Sequence, residues 1–362
     1  MNNKPPKNWK RVTLGELLDY ERPDKYIVSS EDYSDSYKTP VLTAGKTFIL
    51  GYTNDTEGIY KNLPVIIFDD FTTESKYVDF DFKVKSSAIK MLKAENNITL
   101  KYLYYLMQTL SFNHDTHKRY WISEYSKLKI DIPDKIEEQQ EIVQVLDTMS
   151  DIIRLRKECI SHAQDLIPAI FQEMFGDVIQ NKKNINKIKL GKIFILSSGK
   201  FLPAKEMDET GIYPVFGGNG INGYHNEYLF DEPKLCIGRV GVKCGCVHLT
   251  KPKSWITDNA LYINKLLKPI NIIYLKEALT QINLNQYAKR AAQPVISQST
   301  IYNQYILEPP IELQEQFAQK AIEIEAYIKE QQEELENAKQ MFQSLLHHAF
   351  TGELTRRAYG KD

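Results

Sequence analysis

Residues 136–174 read IEEQQEIVQVLDTMSDIIRLRKECISHAQDLIPAIFQEM, and residues 311–349 read IELQEQFAQKAIEIEAYIKEQQEELENAKQMFQSLLHHA. The second stretch follows the first at an offset of 175. Apolar residues stand at Ile142, Leu146, Met149, Ile153, Ile160, Ala163, Ile167, Ile170 and Met174. They stand again at Phe317, Ala321, Ile324, Ile328, Leu335, Ala338, Phe342, Leu345 and Ala349, each displaced by that same offset. Steps of four and three alternate, and one core position is skipped in each copy, at Arg156 and at Gln331. A period of 3.5 held over about five heptads marks a coiled-coil seam rather than the broader stripe of a globular helix.

At 1.5 Å per residue each helix would be roughly 60 Å long. Neither can bury its stripe alone, and two stripes of equal length and phase bury each other. Ile142, Leu146, Met149, Ile153 and Ile160 of the first helix, with Phe317, Ile324, Ile328, Leu335 and Phe342 of the second, are the expected core. The polar residue at the skipped position costs stability and helps fix register. Pro168 lacks a backbone donor and predicts a kink in the first helix, after which the heptad resumes at Ile170 and Met174.

The sequence before each helix repeats more loosely. Leu14-Gly15-Glu16 faces Leu190-Gly191-Lys192, and Pro40-Val41-Leu42 faces Pro214-Val215-Phe216. Gly51-Tyr52 faces Gly223-Tyr224, Tyr102-Leu103 faces Tyr274-Leu275, and Ile122-Ser123 faces Ile296-Ser297. The drifting offset is what loops of changing length around a shared fold produce. Val65-Ile66-Ile67-Phe68 and Leu235-Cys236-Ile237 read as strands, while 100–110 and 272–284 have helical spacing. The expected class is α/β (α+β). Its order is a globular module over 1–134, a long helix over 135–177, a second module over 178–309, a second long helix over 310–354 and a tail over 355–362. Two unlike copies in one chain mimic a dimer with an approximate two-fold axis. Two modules held apart by a rod suit a ligand with two separated, different sites, such as duplex DNA.

Composition bounds the rest. The chain has 362 residues, 42% of them hydrophobic and 26% charged, as in an ordinary soluble protein. Its 22 tyrosines and 15 phenylalanines supply core material, which excludes whole-chain disorder. No apolar run is long enough for a membrane span, and the start of the chain lacks the apolar core of a signal peptide. Four cysteines make no disulfide framework, so a reducing cytosol is expected. The net charge of −1 conceals a segregation: residues 178–309 carry 17 basic and 9 acidic side chains, whereas 135–177 carry 4 and 9. A polyanion responds to the local field rather than to the total.

This arrangement resembles the specificity (S) subunit of Type I restriction-modification systems. The resemblance covers essentially the whole chain. It rests on Trp9-Lys10-Arg11-Val12-Thr13-Leu14-Gly15-Glu16 at the start, and on Glu137-Glu138-Gln139 and Glu312-Leu313-Gln314 at the starts of the helices. In the first module it rests on Ile66-Ile67-Phe68-Asp69-Asp70-Phe71 and Tyr77-Val78-Asp79-Phe80. In the second it rests on Gly217-Gly218-Asn219-Gly220-Ile221-Asn222-Gly223-Tyr224, Ile237-Gly238-Arg239-Val240-Gly241 and Trp255-Ile256-Thr257-Asp258-Asn259-Ala260. Each motif alone is weak; their duplicated order is specific. The resemblance implies two target recognition domains, each reading half of a split DNA sequence, on an antiparallel coiled coil. It implies docking of two methyltransferase (M) subunits that methylate adenine N6, and of restriction (R) subunits that cleave. S-adenosylmethionine, Mg2+ and ATP would belong to those partners, with no cofactor and no catalytic residue in this chain, in a prokaryotic cytoplasm. The first module departs from the second, since Thr43-Ala44-Gly45-Lys46 stands where the second has its Gly-rich run.

Chemistry of the chain's own is disfavoured. Phe216-Gly217-Gly218-Asn219-Gly220 has the letters of a methyl-donor loop, but Glu308-Pro309-Pro310-Ile311 lacks the amide and aromatic groups that would hold a flipped adenine. The glycines suit a turn, or let the backbone approach DNA. Cys236, Cys244, Cys246 and His248 invite a zinc reading, with residues 244, 246 and 248 on one strand face. Their spacing does not match a zinc knuckle, and buried apolar cysteines are the plainer reading. Pro23-Asp24 with Glu74-Ser75-Lys76 has the letters of a nuclease site at too long a gap, and no phosphate-binding G-x-x-x-x-G-K-[ST] loop is present.

Phosphate contacts call for Lys and Arg, and base readout for Arg, Asn, Gln and Lys. In the first module the basic-aromatic cluster His114, His117, Lys118, Arg119, Tyr120 and Trp121 is a candidate, with Lys46, Lys76, Lys83, Lys85 and Lys90. In the second module the candidates are Lys200, Asn219, Arg239, Lys243, Lys289, Arg290 and Gln293. Three other readings remain open: an S-like subunit whose partner fuses methylation and cleavage, a coiled-coil scaffold without a DNA role, and an autonomous enzyme.

Overall fold

The computed structural model describes residues 8–45, 47–110, 119–208, 210–289 and 293–354. The chain divides into two compact units, Met1–Arg156 with Glu334–Asp362, and Lys157–Glu333. No described helix is long and apolar enough to cross a membrane.

The first unit holds strands β1 (Trp9–Thr13), β2 (Asp19–Glu21), β3 (Thr39–Leu42), β4 (Ile49–Thr53), β5 (Val65–Asp69), β6 (Ser75–Val78), β7 (Lys83–Val84), β8 (Ile89–Lys93) and β9 (Lys129–Pro133). Its short helices are α1 (Leu14–Leu17), α2 (Asn97–Met107) and α3 (Tyr120–Ser123). Strands pair in the orders β1-β9, β2-β8-β5-β6 and β4-β3-β7. β5 shows why its apolar run is a strand with two covered faces. Ile66 and Phe68 pack with Leu100, Leu103 and Trp121 on the helical side. Val65 and Ile67 pack with Leu42, Phe82 and Val84 on the other, beneath the three-stranded sheet. The side-chain period of two separates these sets, so the layers run helix, sheet, sheet.

The second unit holds β10 (Lys187–Lys189), β11 (Phe194–Ser198), β12 (Tyr213–Gly217), β13 (Gly220–His225), β14 (Leu235–Gly238), β15 (Val247–Leu249), β16 (Trp255–Ile256), β17 (Ala260–Leu266) and β18 (Tyr305–Leu307). The orders are β10-β18, β11-β17-β14-β15 and β13-β12-β16. Every strand number is that of the first unit plus nine. The equivalence reaches single pairs: Pro40 opposes Tyr52 and Val41 opposes Gly51, as Pro214 opposes Tyr224 and Val215 opposes Gly223. Helix α2 is capped by Asn96, which accepts from the Thr99 amide. A later α-helix at Ile272–Gln281 is capped by Asn271, which accepts from Ile273 and Tyr274. An asparagine carbonyl thus satisfies otherwise orphaned first-turn donors in both copies.

The long helices are continuous. We number them with the rest in chain order: α4 (Ile136–Phe175), α5 (Ile272–Gln281), α6 (Gln298–Tyr302) and α7 (Ile311–Phe350). Helix α4 runs on through Pro168 to Phe175. The two long helices run antiparallel. In the first unit Ile142 and Leu146, near the start of α4, share a core with Leu346 and Ala349, near the end of α7. In the second unit Phe171 near the end of α4 meets Phe317 near the start of α7, with ring centroids 5.5 Å apart. Among the expected seam residues, Ile142, Leu146, Met149, Ile160 and Phe317 are buried, while Ile153, Ile324, Ile328, Leu335 and Phe342 are half-buried. At the skipped position Arg156 forms an ion pair with Glu334 across the seam. At both helix starts a buried glutamine, Gln139 or Gln314, donates to the carbonyl of Pro133 or Pro309, 3.0 and 2.9 Å away.

The cysteine expectation needs one correction. Cys244 and Cys246 lie in a turn before β15, not on a strand face. Gly241 (φ +88°) and Gly245 (φ +87°) take left-handed conformations there that break the extended run. Cys236 is a core residue between the sheets of the second unit, packed with Phe216, Ile256 and Ala260, and burial pushes its thiol up to about 12.

Candidate nucleic-acid interface

In the second unit the backbone gathers several cationic and amide side chains onto one loop cluster. Gly218 and Asn219 form the two-residue turn between β12 and β13, with Asn219 exposed at its tip. This turn presses against the end of β14. A Cβ on Gly238 would stand 2.0 Å from the Gly218 carbonyl oxygen, so the two segments meet backbone to backbone, an approach that glycine alone permits. The next residue, Arg239, donates its amide to the Asn259 carbonyl at 2.8 Å and accepts from the Ile296 amide at 2.9 Å. Val240 bridges Val295, which also bridges Lys289. The Asn285 side chain ties the 242–244 loop down by donating to the Val242 and Cys244 carbonyls, 3.0 and 2.8 Å away.

Asn219, Arg239, Lys243, Lys289 and Gln293 are thereby brought together, and all five are exposed. Among the described residues none of the three cations is in an ion pair. Exposed cations without carboxylate partners leave a positive field for a polyanion. Lys200 is fixed on the 256–260 segment, whose Asn259 also holds Arg239. Its amide donates to the Ile256 carbonyl at 2.9 Å, and its ammonium stands 5.4 Å from the centre of the Trp255 ring. Arg290 lies outside the described residues. His248, beneath Gly220, is held below its ordinary range by burial and then by the charge of Lys276.

The first unit disposes of its candidates differently. Lys46, Lys118, His114 and His117 lie outside the described residues. Arg119 is exposed and Lys76 half-buried. Lys85 forms an ion pair with Glu31 and stands 6.0 Å from the centre of the Tyr33 ring. Four candidates are corrected by burial. Tyr120 and Trp121 are core residues, and Trp121 packs edge-on against Phe68 with centroids 5.2 Å apart, so neither ring is free to stack on a base. Lys83 and Lys90 are buried and neutralised, Lys83 by Asp55 at 3.1 Å and Lys90 by Asp70 at 3.0 Å. A buried, paired ammonium has no reach to a phosphate.

Asp55 illustrates the electrostatics. The Ser29 hydroxyl, then the Ser29 amide and then Lys83 stabilise its ionised form, and its carboxyl falls from 3.8 to about 2. A depressed carboxylate contributes stability above its unfolded value that is lost as pH falls through the folded one. The melting temperature should therefore fall between about pH 4 and pH 2 in the wild type and fall less in Asp55→Asn. Parallel Tm–pH curves for the two proteins would refute the assignment.

Sequence reasoning missed Asp70, Asn285 and the Gly218–Gly238 approach. The Asp69-Asp70 pair carries no sign of which carboxylate turns inward. Asp69 caps the turn by accepting from the Phe71 and Thr72 amides, each at 2.9 Å, whereas Asp70 is buried. Glycine in both segments was the only available signal for the close approach.

Comparison with known proteins places this architecture. The family described as "Type I restriction modification DNA specificity domain" matches twice, over residues 6–162 and 182–337. The chain belongs to that family. The specificity subunit of the Type I restriction enzyme EcoR124I/EcoR124II from Escherichia coli is 51% identical over 173 residues, which cover 42% of this chain and 43% of that subunit. The match thus spans less than half of the relative's length. A putative Type I specificity subunit from Mycoplasma pneumoniae is 22% identical over 80% of this chain and 82% of its own length. Among solved structures, the Type I restriction-modification S subunit from M. genitalium superposes with a TM-score of 0.64. That superposition has 17% identity and covers 97% of this chain and 98% of that one, so specificity-domain fold is shared where sequence is not.

Proposed function

We propose that this member of the specificity-domain family is the DNA-recognition subunit of a Type I restriction-modification assembly. Each module reads one half of a split duplex target. The antiparallel coiled coil sets the spacer and docks two methyltransferase subunits for adenine N6 methylation, with restriction subunits joining for cleavage. S-adenosylmethionine, Mg2+ and ATP belong to those partners, and this chain supplies positioning rather than chemistry. The observation that carries the reading is one strand order used twice with differently furnished loops. β3 and β4 are joined by residues 43–48, where β12 and β13 are joined by two residues, and the second unit's described loops gather exposed cations with Asn219 and Gln293. Identical scaffolds with unlike loops suit two unlike half-sites, because phosphate contacts set register while base-edge contacts carry sequence.

The test is co-expression with the adjacent methyltransferase, followed by sequencing of genomic DNA for modified bases. The expected result is a split motif with N6-methyladenine in both halves that vanishes when this chain is omitted. Methylation independent of the chain, or a short continuous motif, would overturn the reading. The size of the co-purified partner then tells a separate methyltransferase from one fused to a nuclease.

A further inference from the structure

The two units use one backbone position in opposite ways. In the second, Arg239 follows the last residue of β14, donates its amide to Asn259 just before β17, and accepts from the Ile296 amide. In the first, Asp70 follows the last residue of β5, donates its amide to Ala88 just before β8 at 2.9 Å, and accepts from the Tyr120 amide at 2.8 Å. β5 pairs with β8 as β14 pairs with β17, so Asp70 and Arg239 occupy equivalent sites. The residue two beyond the acceptor completes the comparison. It is Lys90 in the first unit, where it pairs with the buried Asp70. In the second it is Leu261, fully buried in the apolar core. An apolar partner offers a charge no inward site, so the Arg239 side chain is turned to solvent while Asp70 is withdrawn.

We propose that Arg239 reads a guanine in the major groove within the half-site of the second module, and that the first module reads no base from the equivalent position. This rests on the DNA-recognition reading above. Base readout requires a side chain on a backbone that does not shift. Arg239 is held at both its amide and its carbonyl, on a segment that the Gly218–Asn219 turn touches on one side and Pro294, Val295 and Ile296 touch on the other. The planar guanidinium presents paired donors that match guanine O6 and N7, the commonest specific contact to a base edge. Lys243 and Lys289, on flanking loops, offer point charges suited to phosphates.

The experiment uses the full chain with its methyltransferase partner and reads the methylated motif genome-wide for Arg239→Ala, Arg239→Lys and Lys243→Ala. In the first two variants one G·C position of one half-site should become degenerate, with about 5- to 100-fold loss of discrimination there and the other half unchanged. Lysine keeps the charge and loses the fork, so Arg239→Lys must also relax that position. Lys243→Ala should weaken methylation across all sites without altering the motif. The proposal is overturned if Arg239→Lys restores the wild-type motif, or if Arg239→Ala lowers methylation uniformly without degeneracy. Those outcomes would make Arg239 a phosphate contact and leave the recognition reading standing. A wild-type chain that directs no split motif would sink that reading itself.

Discussion

Lys90→Met should destabilise the first unit by about 3–5 kcal/mol, measured by denaturant unfolding. Asp70 has no exposed surface. One carboxylate oxygen accepts the Trp121 amide at 2.8 Å, and the other stands 3.0 Å from the Lys90 ammonium, which also lies 4.9 Å from the centre of the Tyr20 ring. Methionine fills the space of the lysine stem but leaves a buried carboxylate without a counter-charge. Desolvating an unpaired charge is the expensive event, whereas removing both charges is often nearly neutral. Asp70→Asn with Lys90→Met should therefore recover most of the loss, because asparagine still accepts from Trp121. The double-mutant cycle reads the coupling directly. A cost below about 1 kcal/mol for Lys90→Met would mean that Asp70 reaches solvent, contrary to its burial.

Phe171→Ala should cost about 3–5 kcal/mol in the second unit. The ring lies with its centroid 5.0 Å from Phe175, 5.6 Å from Tyr274 in a stacked arrangement, and 5.5 Å from Phe317 edge-on. These four rings join α4, α5 and α7 and are all fully buried. Truncation removes the transfer free energy of the ring and leaves a cavity that three rigid aromatic neighbours cannot collapse to fill. Aromatic pairs at these separations add to the loss beyond their area. Phe171→Leu, which keeps most of the volume, should cost markedly less. Equal losses for the two variants would show that the site relaxes around the gap.

Both sites show how unevenly the sequence exposes its content. Phe171 was not among the seam residues singled out by the heptad, although Ile170 beside it was. A 3.5-residue period identifies the stripe that faces the partner helix, but a residue just off that stripe faces whatever else is packed there. Here that is Tyr274 of α5, 103 positions along the chain, in addition to Phe317 of α7. Lys90 stood among the DNA candidates because lysines are ordinarily exposed, and nothing within several residues of it announces Asp70. Arg239 was a candidate on the same grounds and is exposed. The difference lies in Leu261, since an apolar residue at the inward site leaves an arginine only solvent to face.

The sequence by itself determined the duplication, the two long helices and their shared phase, and the central strands of both modules. These are one-dimensional properties: a repeated offset, a period of 3.5 and short apolar runs survive inspection without knowing what touches what. The matching of Pro40 and Gly51 with Pro214 and Gly223 marked equivalent positions in the two copies, and the structure shows that they lie on paired strands, β3 with β4 and β12 with β13. Tertiary structure alone decided which charges point inward, which aromatic residues become core, and which loops converge. Asp55 finds Ser29 and Lys83, Asp70 finds Lys90 and Trp121, and Arg239 is fixed by Asn259 and Ile296. Each fate depends on a partner tens of residues away, and burial of a polar group is settled by whether such a partner is present to replace water.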